Sequence, residues 1–274
     1  MQSKEDRRRN RNKWIDGTIA VLCVVTVLLD FIEIAYSSDI FQNRMIGGIV
    51  QQACGGIAAI LVMIRLKIKL FGKPQNWLYL IPCLVIAIDN FPFWSYFSGN
   101  MQFLSLKWTD YALFALYHLS IGVFEECIFR GIIFAVLAGS FSKDRKGFWQ
   151  TYLCSSLIFG GAHLLNVFNG AGFGETLLQV GYTILTGGLF AFAVIKTKNI
   201  FCTAVVHAIY NICGLLLSEQ GLGTGIVFDA GTTVIMAIVS VIVGVFVLYH
   251  IWKISEEERS LLYVALGVNS KSEK

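Results

Sequence analysis

The chain has 274 residues, of which 55% are hydrophobic and 15% charged, and its mean hydropathy is +0.65. An average soluble domain carries about 25% charged residues, so this composition excludes an ordinary soluble enzyme and indicates a membrane protein. Eight helices of about 20 residues would use about 160 residues, which leaves no room for a separate soluble domain. The net charge of +4 must therefore be interpreted from where the charges lie.

Polar clusters divide the sequence into apolar segments of span length. They predict an all-α fold, a polytopic membrane protein with about eight transmembrane helices in a compact bundle. The predicted spans are 14–36, 45–64, 77–97, 110–138, 148–167, 176–195, 200–217 and 226–252. The fourth and the eighth are long enough to tilt or kink.

The basic residues predict the orientation, because short cytoplasmic loops carry an excess of Lys and Arg. With the N-terminus inside, 19 of the 22 basic residues fall on the cytoplasmic side. They lie in segments 1–13, 65–73, 143–146, 196–198 and 253–274. Each Lys or Arg beside anionic lipid gains about 1 kcal/mol. Orientation and contact with anionic lipid thus account for these segments, and no nucleic-acid partner is expected.

Three charged residues lie deep within the fourth span, in HLSIGVFEECIFRGIIF: Glu125, Glu126 and Arg130. A charge at mid-span costs about 2.5 to 3.5 kcal/mol on insertion scales, so each needs a partner or a function. Glu126 and Arg130 are four residues apart, a spacing that pairs a carboxylate with a cation on one helical face. Glu125 projects about 100° away and cannot share that pair equally. One interpretation is an ion-pair clamp between helices, with the second carboxylate held protonated by burial.

Two histidines and an asparagine in later spans extend this polar set. FGGAH places Phe159 and His163 four residues apart in the fifth span, and HAIYN places His207 and Asn211 four apart in the seventh. A single intramembrane histidine usually packs as a satisfied core residue, but together with an unpaired glutamate these residues form a candidate site. Glycines at 160, 161, 181, 187 and 188 would let the fifth and sixth helices approach closely.

This set of side chains fits hydrolysis of a peptide bond. A glutamate and a neutral histidine that converge on one water can deprotonate it for attack on a carbonyl. A second histidine and an asparagine amide can donate hydrogen bonds to the oxyanion that forms. Glu125, His163 and His207 could instead hold a zinc ion with an open position for water, and spacing does not choose between the two. The sequence has no HExxH, GxSG or GxGD element.

The ordered motifs EECIFR, FGGAH and HAIYN resemble those of the CPBP intramembrane proteases, also called the Abi family, which include the type II CAAX prenyl endopeptidases. The resemblance covers about residues 110 to 217, and it implies an eight-helix bundle with that segment as the protease core. It implies that Glu125 is the general base, acting with His163 on the attacking water. By the same resemblance His207 and Asn211 form the oxyanion site. A mechanism without a metal ion is favoured.

Further residues have supporting roles in this interpretation. Glu126, Arg130 and Phe159 would hold the catalytic side chains in place, as the resemblance implies for Glu126 and Arg130. His118 stands seven residues before Glu125 and hence on the same helical face. It is either a polar residue in the outer half of the span or a residue that holds a catalytic side chain in position.

The resulting prediction has three segments: a basic cytoplasmic arm (1–13), an eight-helix transmembrane domain (14–252) and a polar cytoplasmic tail (253–274). Short loops and plain tails suggest the plasma membrane of a bacterium. The predicted function is an intramembrane endopeptidase acting on a membrane-associated peptide or protein, in bacteriocin or signal-peptide maturation or in self-immunity. CAAX-type cleavage of prenylated tails is the second prediction. A non-catalytic scaffold or immunity partner, and a proton-coupled carrier, are the alternatives from other classes.

Counting along the helices raises one difficulty for a shared site. From the cytoplasmic side, at about 1.5 Å per residue, His207 lies near 12 Å, whereas His163 and Glu125 lie at about 22 to 24 Å. Tilt, a kink or different helix boundaries would have to close that gap.

Overall fold

The computed structural model describes residues 4–29, 39–104, 107–168, 170–218, 221–225 and 229–268, with side chains from residue 15 onward. The α-helices are α1 (Lys4–Leu28), α2 (Ile40–Arg65), α3 (Leu80–Asp89), α4 (Phe93–Phe97), α5 (Trp108–Glu126), α6 (Phe134–Ser140), α7 (Arg145–Ala162), α8 (Phe173–Thr197), α9 (Ile200–Leu215), α10 (Ala230–Trp252) and α11 (Glu256–Ala265). A π-helical segment, Cys127–Ile133, joins α5 to α6, and 3-10 turns lie at Trp77–Tyr79 and His163–Val167. Strands β1 (Met101–Phe103) and β2 (Gly223–Gly225) pair antiparallel. The all-α prediction is confirmed, with this short ribbon as its one addition in the described ranges.

Every predicted span coincides at least in part with a helical segment, but eight membrane crossings are not confirmed. By length and apolar composition, three helices in the described residues can cross a membrane, namely α2, α8 and α10. The segments Ile15–Leu28, Trp77–Asp89 and Ile200–Leu215 are apolar but shorter. The end of the first predicted span and the start of the eighth lie outside the described residues.

Two predicted spans differ from the helices observed. The third, 77–97, is interrupted because α3 ends at Asp89 and α4 begins only after Pro92. Proline lacks the N–H that a continuous helix needs and disfavours helical backbone at the residue before it. The fourth, 110–138, is helical from 108 to 140, and its π-helical segment begins at the residue after Glu126. Such segments are frequent at functional sites.

Helix α5 packs against α2 on one side and α9 on the other through glycines. A Cβ on Gly55 of α2 would lie 2.4 Å from the ring of Phe124 on α5. A Cβ on Gly122 of α5 would lie 2.5 Å from the backbone oxygen of Ala204 on α9. The second contact is with backbone rather than with a movable side chain, so it sets the closest approach of the helices that carry Glu125 and His207.

Helices α7 and α8 also meet at glycines. A Cβ on Gly160 would lie 2.3 Å from Ile184, one on Gly187 would lie 3.2 Å from the Ser156 carbonyl oxygen, and one on Gly188 would lie 2.9 Å from the Tyr152 hydroxyl. These three glycines allow the close approach that the sequence predicted. The same prediction is wrong for Gly161 and Gly181, because a Cβ at either would meet nothing within 4 Å.

The turn between α8 and α9 is buried, with Thr197, Lys198 and Asn199 each at most 6% exposed. The segment 70–75 covers it through backbone hydrogen bonds. The Ile200 N–H donates to the Leu70 carbonyl at 2.8 Å, and the Gln75 N–H donates to the Thr197 carbonyl at 2.8 Å. Helix α9 therefore begins inside the molecule rather than at its surface.

Helix α11 lies within the segment that the sequence analysis assigned to a polar tail. Ser255 caps its N-terminus by accepting from the Glu258 N–H at 3.1 Å, and Leu262 and Tyr263 are buried against the bundle. Residues 269–274 of that segment lie outside the described residues, as do residues 1–3 of the basic arm. From Lys4 onward the arm is the start of α1.

The Gly122 contact gives a test of the α5–α9 packing. We expect Gly122→Ala to destabilise the protein by about 1 to 3 kcal/mol, because the added methyl group meets backbone that cannot rotate away. Unfolding of the purified protein in detergent micelles by increasing sodium dodecyl sulfate measures this loss. The matched control is Gly181→Ala on α8, where the open space predicts no loss and a slight gain in helix propensity. Equal stability of the two variants would contradict the packing.

Candidate active site

The most deeply buried charges of the protein form an ion pair at the end of α5. The Arg130 Nη1 donates to Glu126 Oε1 at 2.9 Å, and both side chains are 0% exposed. The Arg130 Nη2 donates to the carbonyl of Gly187 on α8 at 3.2 Å. The guanidinium also lies 3.9 Å from the ring centre of Phe159 on α7. Burial of a charge is tolerated only with such partners, so this pair joins three helices.

His207 on α9 extends the pair into a chain of three ionisable groups. Its Nδ1 lies 2.8 Å from the same Glu126 Oε1. Because a carboxylate only accepts hydrogen bonds, Nδ1 carries the hydrogen. The other nitrogen, Nε2, then faces Glu125, whose Oε2 lies 3.7 Å away. The imidazole also stacks on Phe190, with ring centroids 4.6 Å apart and planes 24° apart.

The two adjacent glutamates have different surroundings. Glu126 is fully buried and accepts from both Arg130 and His207, whereas the Glu125 side chain is 26% exposed. A carboxylate that is partly exposed beside a histidine can receive a proton from water. A carboxylate held by two donors in the core is occupied as a structural partner.

His163 stands where α7 ends and the 3-10 turn begins. Its Nδ1 lies 3.0 Å from the carbonyl oxygen of Phe159, so Nδ1 is the donor and Nε2 is left with a lone pair. The Phe159 ring contacts His163 edge-on at 5.2 Å and His207 at 5.9 Å between centroids. Phe159 therefore lies between the two histidines and under the Arg130 guanidinium.

Asn211 and His118 flank this set. Asn211 lies one turn after His207 on α9 and is half-buried. His118 on α5 is buried at 3% exposure and packs edge-on against Phe114 at 4.4 Å. Within the described part of the chain, the His118 Nδ1 has no hydrogen-bond partner.

The structure thus brings Glu125, Glu126, Arg130 and His207 into direct contact and joins His163 to them through Phe159. The depth gap expected from helix counting does not separate His207 from the end of α5, because the His207 Nδ1 lies 2.8 Å from Glu126 Oε1. Sequence reasoning missed two partners, the Gly187 carbonyl and the Phe190 ring. The Gly187–Gly188 pair was a signal for close packing, but nothing in the sequence marks Phe190.

The described residues do not fit the zinc alternative. No group of three or more His, Cys, Asp and Glu side chains within the described ranges is placed to hold a metal ion. Glu125, His163 and His207 are therefore not arranged as a ligand set.

Apolar helices of spanning length and a polar site inside the bundle define a helical membrane protein with ionisable groups placed for chemistry. Residues 107–213 match the model of the family described as type II CAAX prenyl endopeptidase Rce1-like. This match confirms the resemblance seen in the motifs. The family is one of proteases, which supports a peptidase. No curated protein and no solved structure matches the chain significantly. The matched segment contains every residue of the candidate site.

The buried ion pair of Glu126 and Arg130 predicts that the stability of the protein depends strongly on Arg130. We expect Arg130→Met to cost about 3 to 5 kcal/mol, because it leaves the Glu126 carboxylate buried without its cation. Adding Glu126→Gln should recover part of this loss, since no uncompensated charge then remains and the glutamine oxygen can still accept from His207. Unfolding in mixed micelles of the two single variants and the double variant measures the coupling. Strictly additive losses would contradict the ion pair.

Proposed function

We propose that the protein is an intramembrane endopeptidase that hydrolyses a peptide bond with water activated by Glu125. One observation carries the proposal. A partly exposed carboxylate lies 3.7 Å from the Nε2 of His207, and the Nδ1 of that histidine is fixed by the buried Glu126–Arg130 pair. The Rce1-like match over the same segment supports it.

In the proposed mechanism Glu125 takes a proton from a water molecule while the oxygen of that water attacks the carbon of the scissile carbonyl group. The lone pair on Nε2 of His163 accepts the second water hydrogen and orients the attack. Glu125 then passes its proton to the leaving nitrogen as the carbon–nitrogen bond breaks. Positioned general acid–base catalysis of this kind contributes about 10²- to 10⁴-fold.

The oxyanion needs hydrogen-bond donors, and His207 and Asn211 lie one helical turn apart on α9 to supply them. Since Nδ1 of His207 already donates to Glu126, this residue can donate to the oxyanion only through a hydrogen on Nε2. We infer that His207 acts as an imidazolium. The Asn211 amide provides the second donor.

For the substrate, we infer the C-terminal segment of a lipid-anchored polypeptide, because the matched family is described as a prenyl endopeptidase. An anchor in the bilayer would bring the peptide to a site within the helix bundle. Maturation of a bacteriocin or secreted signalling peptide, or self-immunity, remains a prediction from the sequence. The bacterial plasma membrane and the cytoplasmic position of both termini rest on loop lengths and on the distribution of basic residues.

Glu125→Gln should lower kcat for peptide cleavage by at least about 10²-fold, because the amide cannot take the proton from water. The assay is cleavage of a farnesylated CAAX-type peptide by the purified protein. Three comparison peptides are the same sequence without the prenyl group, an unrelated lipidated peptide and a bacteriocin precursor. Glu175→Gln is the matched control, since Glu175 is exposed at the start of α8.

Full activity of Glu125→Gln would overturn the general-base role, and cleavage of the unprenylated peptide alone would overturn the substrate inference. If the protein is a non-catalytic scaffold, we expect the purified protein to cleave no peptide and the Glu125→Gln variant to function normally in cells. A proton-coupled carrier predicts pH-driven transport in proteoliposomes that this variant abolishes. Undiminished cleavage after verified removal of metal would exclude an essential zinc ion.

A further inference from the structure

A cleft separate from the candidate active site opens where α8 and α10 end. Its volume is about 500 Å³, and it is lined by residues of the 3-10 turn at Trp77–Tyr79, of the ends of both helices and of α11. The lining residues are Asn76, Tyr79, Lys196, Tyr249, His250, Lys253 and Glu258. The proposed peptide hydrolysis uses none of them.

Cations outnumber anions around this cleft. Lys196 is only 3% exposed, and its Nζ donates to Glu258 Oε1 at 2.9 Å. Lys198, 6% exposed in the turn after α8, interacts electrostatically with both of these residues. Lys253 lines the cleft and is exposed. Among the residues that line the cleft, one carboxylate, Glu258, stands against two ammonium groups, Lys196 and Lys253. Glu256 and Glu257, at the start of α11, do not line the cleft.

The buried Lys196 has further donors for an anion, and the buried Lys198 beside it adds positive charge. Burial lowers the pKa of the Lys198 ammonium, and the Glu258 carboxylate offsets this only in part. An ammonium has three N–H donors, and Lys196 uses one of them on Glu258 while it lies 4.9 Å from the Tyr79 ring centre. A second anion in the cleft would therefore find unused donors and relieve the crowding of like charges.

The cleft lies where lipid headgroups are expected. Helices α8 and α10 are two of the three described helices that are long and apolar enough to cross a membrane, and Lys196 and Lys253 stand at their ends. Trp77 and Trp252, both 60% exposed, adjoin the lining residues Asn76 and Lys253 in sequence. Exposed tryptophans at the ends of spanning helices mark the interface between bilayer and water. The abundant anion at that level is a phosphate group.

We propose that this cleft binds a phosphate group at the membrane interface, carried by an anionic lipid, through Lys196 and Lys253. Lysine ammonium groups bind phosphate as compact charges from flexible stems and need no fixed orientation of the ligand. The cleft is larger than phosphate alone, so it has room for the glycerol part of a headgroup.

Native mass spectrometry of the purified full chain, titrated in detergent with dioleoyl phosphatidylglycerol or dioleoyl phosphatidylcholine, tests the proposal. We expect tighter binding of phosphatidylglycerol, and about fivefold weaker binding of it by Lys253→Gln, the equivalent of about 1 kcal/mol. The double variant Lys196→Gln with Glu258→Gln should weaken binding similarly without leaving a buried charge unpaired. Lys146→Gln is the matched control, because Lys146 is exposed and lies outside the cleft.

Competition with inorganic phosphate and glycerol 3-phosphate separates the possible sources of the ligand. Displacement of the lipid by either at millimolar concentration would support a site for the phosphate group itself, with a soluble source allowed. Lipid binding that both fail to displace would support a lipid ligand. Unchanged affinity in Lys253→Gln and in the double variant would overturn the proposal, as would an equal loss in Lys146→Gln.

Discussion

The arrangement of the bundle around the site depends on one buried cation. Arg130 is inaccessible to solvent, and its partners come from three helices: Glu126 on α5, the ring of Phe159 on α7 and the Gly187 carbonyl on α8. A charge removed from water is compensated only when all of its partners are in place together. Since Glu126 also accepts from His207, this single requirement places α9 as well.

Two adjacent glutamates can serve this arrangement differently because neighbouring helical residues point about 100° apart. Glu126 turns into the bundle and accepts from two donors at Oε1, while Glu125 keeps 26% of its side chain exposed. One helix thus supplies both the charge that holds the site and the charge that can react. The close approach of α5 and α9 at Gly122 and Ala204 keeps this pair of glutamates within reach of one histidine.

Local sequence patterns predicted the Glu126–Arg130 contact but not the tertiary contacts around it. The four-residue spacing of Glu126 and Arg130 and the apolar periodicity of the helices are encoded within a few turns of chain. The covered turn at 197–199 depends on backbone bonds such as Ile200 N–H to Leu70, 130 positions away in sequence. The stacking of Phe190 on His207 also depends on tertiary packing. Side-chain periodicity carries no information about such long-range contacts, so counting along the helices could not place His207 beside Glu126.

The proposed roles also require one consistent distribution of protons. A neutral His207 with hydrogen on Nδ1 would direct the lone pair of Nε2 at the Glu125 carboxylate 3.7 Å away, which is repulsive. A hydrogen between them removes the repulsion, and if Glu125 is to act as a base that hydrogen must lie on His207. Glu125 and Glu126 are then anionic, and Arg130 and His207 are cationic. The four groups sum to zero charge, the condition under which an ionised site is least costly within an apolar bundle.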